Sequence, residues 1–157
     1  MIDSRLETHK HIQTVQRILA LAIADLVQRG PEHDSTKLKS PEVELFDEFT
    51  PLLAATTYGT DEYRALLAKI KPALDHHYAA HRHHPEHFPD GIQGMNLMDL
   101  LEMICDWMAV AKRHADGDVV RSIEVGKKRF GYSEDLYWIL LNTVAALDAA
   151  QAEAPHA

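Results

Sequence analysis

Apolar residues recur at steps of three and four along most of the chain, which is the period of an α-helix. The first such stretch covers residues 5–29, and its recurring positions include Leu6, Ile12, Val15, Leu19, Ala22 and Leu26. Gly30-Pro31 follows directly, and such a pair typically ends a helix. The pattern therefore predicts one long first helix.

The same period continues downstream, with cap residues between the stretches. Ser40-Pro41 resembles an N-cap followed by the first helical position, and Thr50-Pro51 predicts a break in that short second helix. Thr60 is expected to cap a third helix that runs to about Arg82. Its apolar positions form one line: Tyr63, Leu66, Leu67, Ile70, Leu74 and His77.

Two prolines and two glycines in residues 83–95 predict an irregular loop. Further helices are expected over about 97–115, 118–130 and 134–152, with caps at Asn96 and Ser133 and a stop at Gly131. Residues 152–157 are expected to fray. We therefore predict an all-α fold in which residues 1–157 form a single compact bundle of about six helices.

Composition restricts the class of protein. The chain has 157 residues with 16 Lys and Arg against 24 Asp and Glu, which gives a net charge of −8. An acidic chain is a poor candidate for binding nucleic acid or an anionic membrane without sequence preference. There is no apolar run of membrane-spanning length, and the one cysteine, Cys105, excludes an intrachain disulfide. These features favour a cytoplasmic protein and leave a homo-oligomer open.

Histidine is the unusual residue type, because six of the 11 histidines fall between His76 and His87. In that stretch His77, His81 and His84 stand at i, i+4 and i+7, one face if the helix continues. His77 extends the apolar line of its helix, so His77 rather than His76 should face the core. The alternative is a solvated tract that binds metal adventitiously.

Three further segments carry possible ligands. His33-Asp34 pairs an imidazole with a carboxylate, and Lys37 follows one helical turn after Asp34. His11 lies on the first helix, where a lone histidine is more often structural than a ligand. Asp99, Glu102 and Asp106 share one stripe of the fourth predicted helix, closely flanked by apolar residues.

The order of these segments along the chain resembles the order of the metal ligands in the HD-domain superfamily of metal-dependent phosphohydrolases. His33-Asp34-Ser35-Thr36-Lys37 is similar to the His-Asp-x-x-Lys motif of that superfamily, although Gly often stands where Thr36 does. The resemblance implies an HD-like bundle and a metal set of His11, His33, Asp34 and Asp106. In members with two metals, two further histidines join, and His77 and His84 could fill those roles, with His76 and His83 as the competing choices.

Over residues 5–145 the chain resembles more closely a small family of bacterial and phage proteins without a settled activity. That likeness includes the motif at His33, the turn Thr57-Tyr58-Gly59, the histidine tract and the segment from Glu102 to Trp107. It implies a fold and a site, but no substrate.

The expected function is hydrolysis of a phosphate ester, such as a nucleotide, by water activated on one or two divalent ions of Mn, Fe, Ni, Co or Zn. Asp34 would hold the metal and accept the proton of the water. Lys37 would neutralise the phosphate, with help from Arg82 or Arg113, and Glu86 would protonate the leaving group. The alternatives are an HD-type diiron oxygenase, a non-catalytic HD scaffold that binds metal or nucleotide, and a purely structural bundle.

Overall fold

The computed structural model describes residues 4–57, 60–113 and 117–153, and within these ranges the chain forms six α-helices and no strand. The helices are α1 (Ser4–Glu32), α2 (Glu42–Ala55), α3 (Asp61–Ala80), α4 (Leu97–Ala111), α5 (Val119–Phe130) and α6 (Glu134–Glu153). Short 3₁₀ helices occupy Ser35–Leu38, Pro85–His87 and Gly91–Gly94. The predicted all-α bundle of about six helices is confirmed.

The predicted caps account for several helix ends. Thr60 accepts a hydrogen bond from the backbone N–H of Tyr63, and Asn96 forms a complete capping box with Asp99. The Ser133 hydroxyl accepts from the N–H of Leu136 at 3.2 Å. Gly131 ends α5 in the left-handed conformation with φ 67°, which a glycine adopts without strain.

The proline-based boundaries were wrong. Helix α1 passes through Pro31 to Glu32, and α2 passes through Pro51 to Ala55. Proline removes one backbone hydrogen bond, but the residues around Pro51 pack against α3 and outweigh that loss. Pro41 follows a cis peptide bond and takes the N-cap position, so Ser40 is not the cap.

Other boundaries differ by a few residues. Helix α3 ends at Ala80 rather than Arg82, and α4 ends at Ala111 rather than residue 115. Part of the predicted loop 83–95 is 3₁₀ helix. The expected stop at 116 and the tail from 154 lie outside the described residues.

Two hydrophobic clusters hold the described helices together. The larger joins α4, α5 and α6 around Met103, Ile104 and Ile123, and the smaller joins α2 and α3 around Phe49 and Ile70. The C-terminal end of α1 packs against α4, and Arg82 and His83, which follow α3, contact Asp99 and Glu102 of α4. None of the described helices is both long and apolar enough to cross a bilayer.

Candidate metal centre

Three segments bring histidines and carboxylates together. The chain leaves α1 at His33 and Asp34, and Asp34 takes a left-handed backbone conformation with φ 55° as it enters the 3₁₀ helix. Aspartate is among the few residues that visit this region, and such positions cluster at functional sites. The end of α3 and the turn after it supply further histidines, and α4 supplies carboxylates.

The first set of potential ligand atoms surrounds one oxygen of Asp34. Asp34 Oδ1 lies 3.2 Å from His77 Nε2 and 3.5 Å from His83 Nε2, and His77 Nε2 lies 3.0 Å from His84 Nε2. One ligand atom from each of these four residues falls within 4.8 Å of all the others. Imidazole nitrogens and a carboxylate so placed suit a divalent transition metal.

A second set adjoins the first and shares His83. It consists of His33, His83 and Asp106, with His33 Nε2 3.5 Å from Asp106 Oδ1. Asp34 joins the two sets, because its Oδ2 lies 3.7 Å from His33 Nε2 while its Oδ1 faces the first set. The two sets could hold one ion, or two if the shared His83 serves only one of them and Asp34 lies between both.

Buried polar atoms without partners support a cation at this place. The outer ring nitrogen of His83, Nδ1, makes no hydrogen bond within the described protein, and neither do the buried atoms Asp34 Oδ1 and His83 Nε2, which face the first set. A buried polar group that is left unpaired costs free energy, so such atoms in a native fold call for a ligand, an ion or water. Asp34 Oδ1 and His83 Nε2 belong to the first set, and a shared metal ion would satisfy both.

Two glutamates lie next to the outer nitrogens of three histidines. Glu102 Oε1 lies 3.1 Å from His33 Nδ1 and 3.1 Å from His83 Nδ1. Glu42, fully buried at 0% exposure, places Oε2 3.1 Å from His77 Nδ1. A carboxylate behind a histidine fixes the ring and directs Nε2 forward, which is the usual support of a metal-binding histidine.

A buried ion network anchors Glu102 in turn. Arg29 donates to Glu102 Oε2 at 3.0 Å and to Asp99 Oδ1 at 2.9 Å. Asp99 is 0% exposed and also accepts from Arg82 at 3.0 and 2.9 Å. Because each carboxylate oxygen has a donor, this network holds Glu102 in place behind the two histidines.

Neighbouring charges and burial shift the pKa values of the site histidines in opposite directions. The carboxylates of Asp106 and Glu102 raise the pKa of His33 to about 10. Burial lowers the pKa of His84 to about 3, and the nearby His83 and His77 add to this effect. Without metal, His33 therefore carries a proton at neutral pH whereas His84 is a neutral ligand.

The carboxylates of the site are ionised. Burial raises the pKa of Asp34, but the neighbouring His77 and His83 and the Lys37 ammonium outweigh it and hold that pKa far below its usual range. Burial likewise raises the pKa of Glu102, and His33, His83 and Arg29 reverse the shift. Ionised oxygens are the form that binds a metal.

Residues 2–147 match a protein family of unknown function (DUF5662). The chain belongs to this family. No curated protein and no solved structure matches the chain significantly.

Most of the predicted ligands converge. His33, Asp34, His77, His84 and Asp106 all contribute to the two sets. The predicted helical phase also agrees with the structure, because His77 is 1% exposed while His76 turns outward and contacts Glu42.

His11 does not join them. Its side chain is exposed on α1, 22 residues before His33. At a rise of about 1.5 Å per residue this separation is roughly 30 Å along a helix. The ligand role that the resemblance implied for His11 is therefore not supported within one chain, because a helix this long places His11 far from the ligand sets.

The predicted substrate-binding and acid residues have mixed positions. Lys37 donates to Asp34 Oδ2 at 2.7 Å and is at the site. Arg82 is engaged by Asp99, and Arg113 is exposed beyond the end of α4. Glu86 accepts from Arg129 at 2.5 Å, so its carboxylate is directed at a guanidinium rather than at the ligand sets.

Sequence reasoning missed the main roles of His83, Glu42 and Glu102. The helical phase argument assumed that α3 continues, but it ends at Ala80, and the turn that follows directs His83 inward. Nothing in the local sequence marks Glu42, which lies near the start of a short helix. The acidic stripe on α4 was a signal for Glu102, since acids flanked closely by apolar residues face the interior.

Two pockets flank the ligand sets on opposite sides. A pocket of about 390 Å³ between α1 and α4 is lined by His33 and Asp106 together with Leu26, Leu101 and Ala109. A second, of about 440 Å³, is lined by His84 with Trp107, Phe130, Arg121 and Arg129. A small molecule in either pocket would adjoin the centre.

Proposed function

We propose that this chain is a metal-dependent phosphohydrolase that acts on a nucleotide or another small phosphate ester. The observation that carries the proposal is the pair of adjoining ligand sets that share His83 and leave buried Asp34 Oδ1 without a partner. Lys37, 2.7 Å from Asp34, supplies a cation next to these ligands in an otherwise acidic chain. The likeness of His33-Asp34-x-x-Lys37 to the HD motif supports the same chemistry.

His77, His83, His84 and Asp34 would hold one ion. His33 and Asp106 would hold a second, with Asp34 between the two, because the inward Nε2 of His83 can serve only one ion at a time. A divalent metal there lowers the pKa of bound water towards neutrality and polarises a phosphoryl oxygen. Asp34 accepts the proton of the water, and Lys37 pairs with a phosphate oxygen once a substrate draws it from Asp34. Glu86 pairs with Arg129 and is not assigned the role of acid.

Metal content and hydrolysis test this proposal together. The chain is purified without a metal-affinity step, supplied with manganese, and assayed for bound metals by mass spectrometry. p-Nitrophenyl phosphate and bis-p-nitrophenyl phosphate serve as probes. We expect one or two ions per chain and hydrolysis of at least one probe. Asp34→Asn, which keeps the shape but not the charge, should lose most of both.

A matched variant separates the centre from the rest of the histidine tract. His87 contacts the backbone carbonyl of Tyr78 and lies outside both ligand sets. His87→Ala should keep its metal and rate, whereas His83→Ala should lose both. Equal metal loss in the two variants would indicate adventitious binding, and a fully loaded but inactive chain would contradict the hydrolase.

The apolar lining of the pocket next to His33 supports a second candidate function, an iron-dependent oxygenase. Leu26, Leu101 and Ala109 line the side of the centre next to His33 and Asp106, which suits an apolar substrate better than a phosphate. Histidine and carboxylate ligands suit iron as well as manganese. A coloured, iron-loaded chain that consumes dioxygen and hydrolyses neither probe would favour this function.

A further inference from the structure

We propose that the N-terminal half of α1 is a dimerisation helix, which pairs antiparallel with the same segment of a second copy of this chain. The proposal starts from burial. Every residue from 4 to 21 is exposed, and α1 is the one described α-helix that has no buried residue. This segment nevertheless carries large aliphatic side chains that are 39–71% exposed: Leu6, Ile12, Val15, Ile18, Leu19 and Leu21.

The length of α1 explains the exposure. Helix α1 has 29 residues and α4, against which it packs, has 15. At about 1.5 Å per residue, α1 extends roughly 20 Å further than α4 can cover. Its C-terminal end meets α4 at Leu26, Arg29 and His33, which leaves the N-terminal half projecting from the bundle.

The spacing of the exposed residues specifies a helix as the partner. Positions 12, 15, 19, 22, 26, 29 and 33 alternate strictly between steps of three and four, the heptad pattern of helix pairing. In the second half of this seam the partner is α4. In the first half the seam consists of Ile12, Val15, Leu19 and Ala22, and no described residue covers it.

The flanks of the seam favour a second copy over a membrane surface. The neighbouring positions His11, Gln16, Ile18 and Ile23 include no acidic or Lys and Arg side chain, so two copies meet without like-charge repulsion. A twofold pair needs only one surface, since each copy presents the same seam to the other. An anionic membrane surface would also repel the chain as a whole, because its net charge is −8.

The area required defines how far the two copies overlap. A stable interface buries about 800 Å² per partner, more than the few side chains of the exposed seam alone supply. The apolar pocket lined by Leu26, Leu101 and Ala109 continues the seam in the same direction. The helix of one copy therefore lies along both the seam and this pocket of the other, and it closes the side of the pocket next to His33.

Sedimentation velocity of the full chain tests the pairing. We expect a dimer at micromolar concentration. Val15→Glu combined with Leu19→Glu places charges in the seam and should weaken dimerisation by at least a hundredfold. Circular dichroism checks that the variant stays folded, which is expected because neither residue contacts the bundle of its own chain.

Leu21→Glu is the matched control. Leu21 lies on the other side of α1 and is 71% exposed, so it changes the same residue type without touching the seam. It should remain dimeric. A wild-type chain that is monomeric at 100 µM, or a dimer that survives the double substitution, would overturn the proposal. A monomer that binds vesicles of anionic lipid would also overturn it and assign the seam to a membrane.

Discussion

Glu102 is the residue on which both ligand sets depend. One of its oxygens lies 3.1 Å from Nδ1 of His33 and 3.1 Å from Nδ1 of His83, and Arg29 holds the other. Since His83 belongs to both sets, a change at Glu102 reaches every proposed ion although Glu102 itself touches none. It is a positioning residue for the centre.

We therefore expect Glu102→Gln to reduce metal affinity by roughly 10–100-fold, the usual effect of losing an outer partner of a ligand histidine. Glutamine keeps the shape of the side chain but has no charge. Its amide N–H₂ group, which is a donor, would point at Arg29 or at the histidines, where a carboxylate oxygen now accepts. Calorimetric titration of the metal-free chain with zinc measures the change. Glu124→Gln, on the exposed side of α5, is the control, and equal affinities in the two variants would contradict the role of Glu102.

At the scale of single elements, α5 depends on one glycine. A Cβ atom at Gly126 would lie 2.4 Å from the ring of Trp107 and 3.2 Å from the hydroxyl of Tyr132. Gly126 is buried, and Tyr132 donates to the backbone carbonyl of Ile123 at 2.5 Å. The absence of a side chain at this position thus allows α5 to approach α4.

Gly126→Ala should lower the free energy of unfolding by about 1–3 kcal/mol, the usual cost of overfilling a packed core. The higher helix propensity of alanine offsets only up to about 1 kcal/mol of this loss. Urea unfolding followed by circular dichroism measures the difference. Val125→Ala, one residue earlier and 56% exposed, should change stability by less, and a stabilised Gly126→Ala chain would show that Trp107 moves freely.

The elements also show what the sequence can and cannot predict. Caps such as Asn96 and Thr60 were predicted correctly because a cap is a local interaction between a side chain and the next turn. Pro51 did not break α2, because long-range packing against α3 decides that boundary. The inward position of His83 follows from a turn after Ala80 that no periodicity encodes, whereas His77 was found from its place on a regular helix.

At the scale of the whole molecule, opposite pKa shifts among the site histidines predict that the metal-free chain has a pH of maximum stability. His33 has its pKa raised from 6.5 to about 10 by Asp106 and Glu102. Its contribution to the stability of the metal-free chain is therefore complete below pH 6.5 and is lost as the pH rises towards 10. Burial, together with neighbouring histidines, lowers the pKa of His81 to about 4 and that of His84 to about 3. Their contribution is present above pH 6.5 and is lost as the pH falls.

Metal-free chain should therefore be most stable near pH 6.5 and less stable on either side, while metal affinity should rise with pH because binding must displace the proton of His33. Urea unfolding after dialysis against a chelator, from pH 5 to 9, measures the first effect, and zinc titration of the same samples measures the second. Asp34 and Glu102 also raise the pKa of His83 against the effect of burial, so His33→Asn removes one of two raised groups. It should make the alkaline side of the stability curve shallower while leaving the acid side, which belongs to His81 and His84. A wild-type curve that is flat from pH 6.5 to 9 would mean that Asp106 and Glu102 do not hold a proton on His33. The metal would then bind without proton release, and the affinity would be independent of pH over the same range.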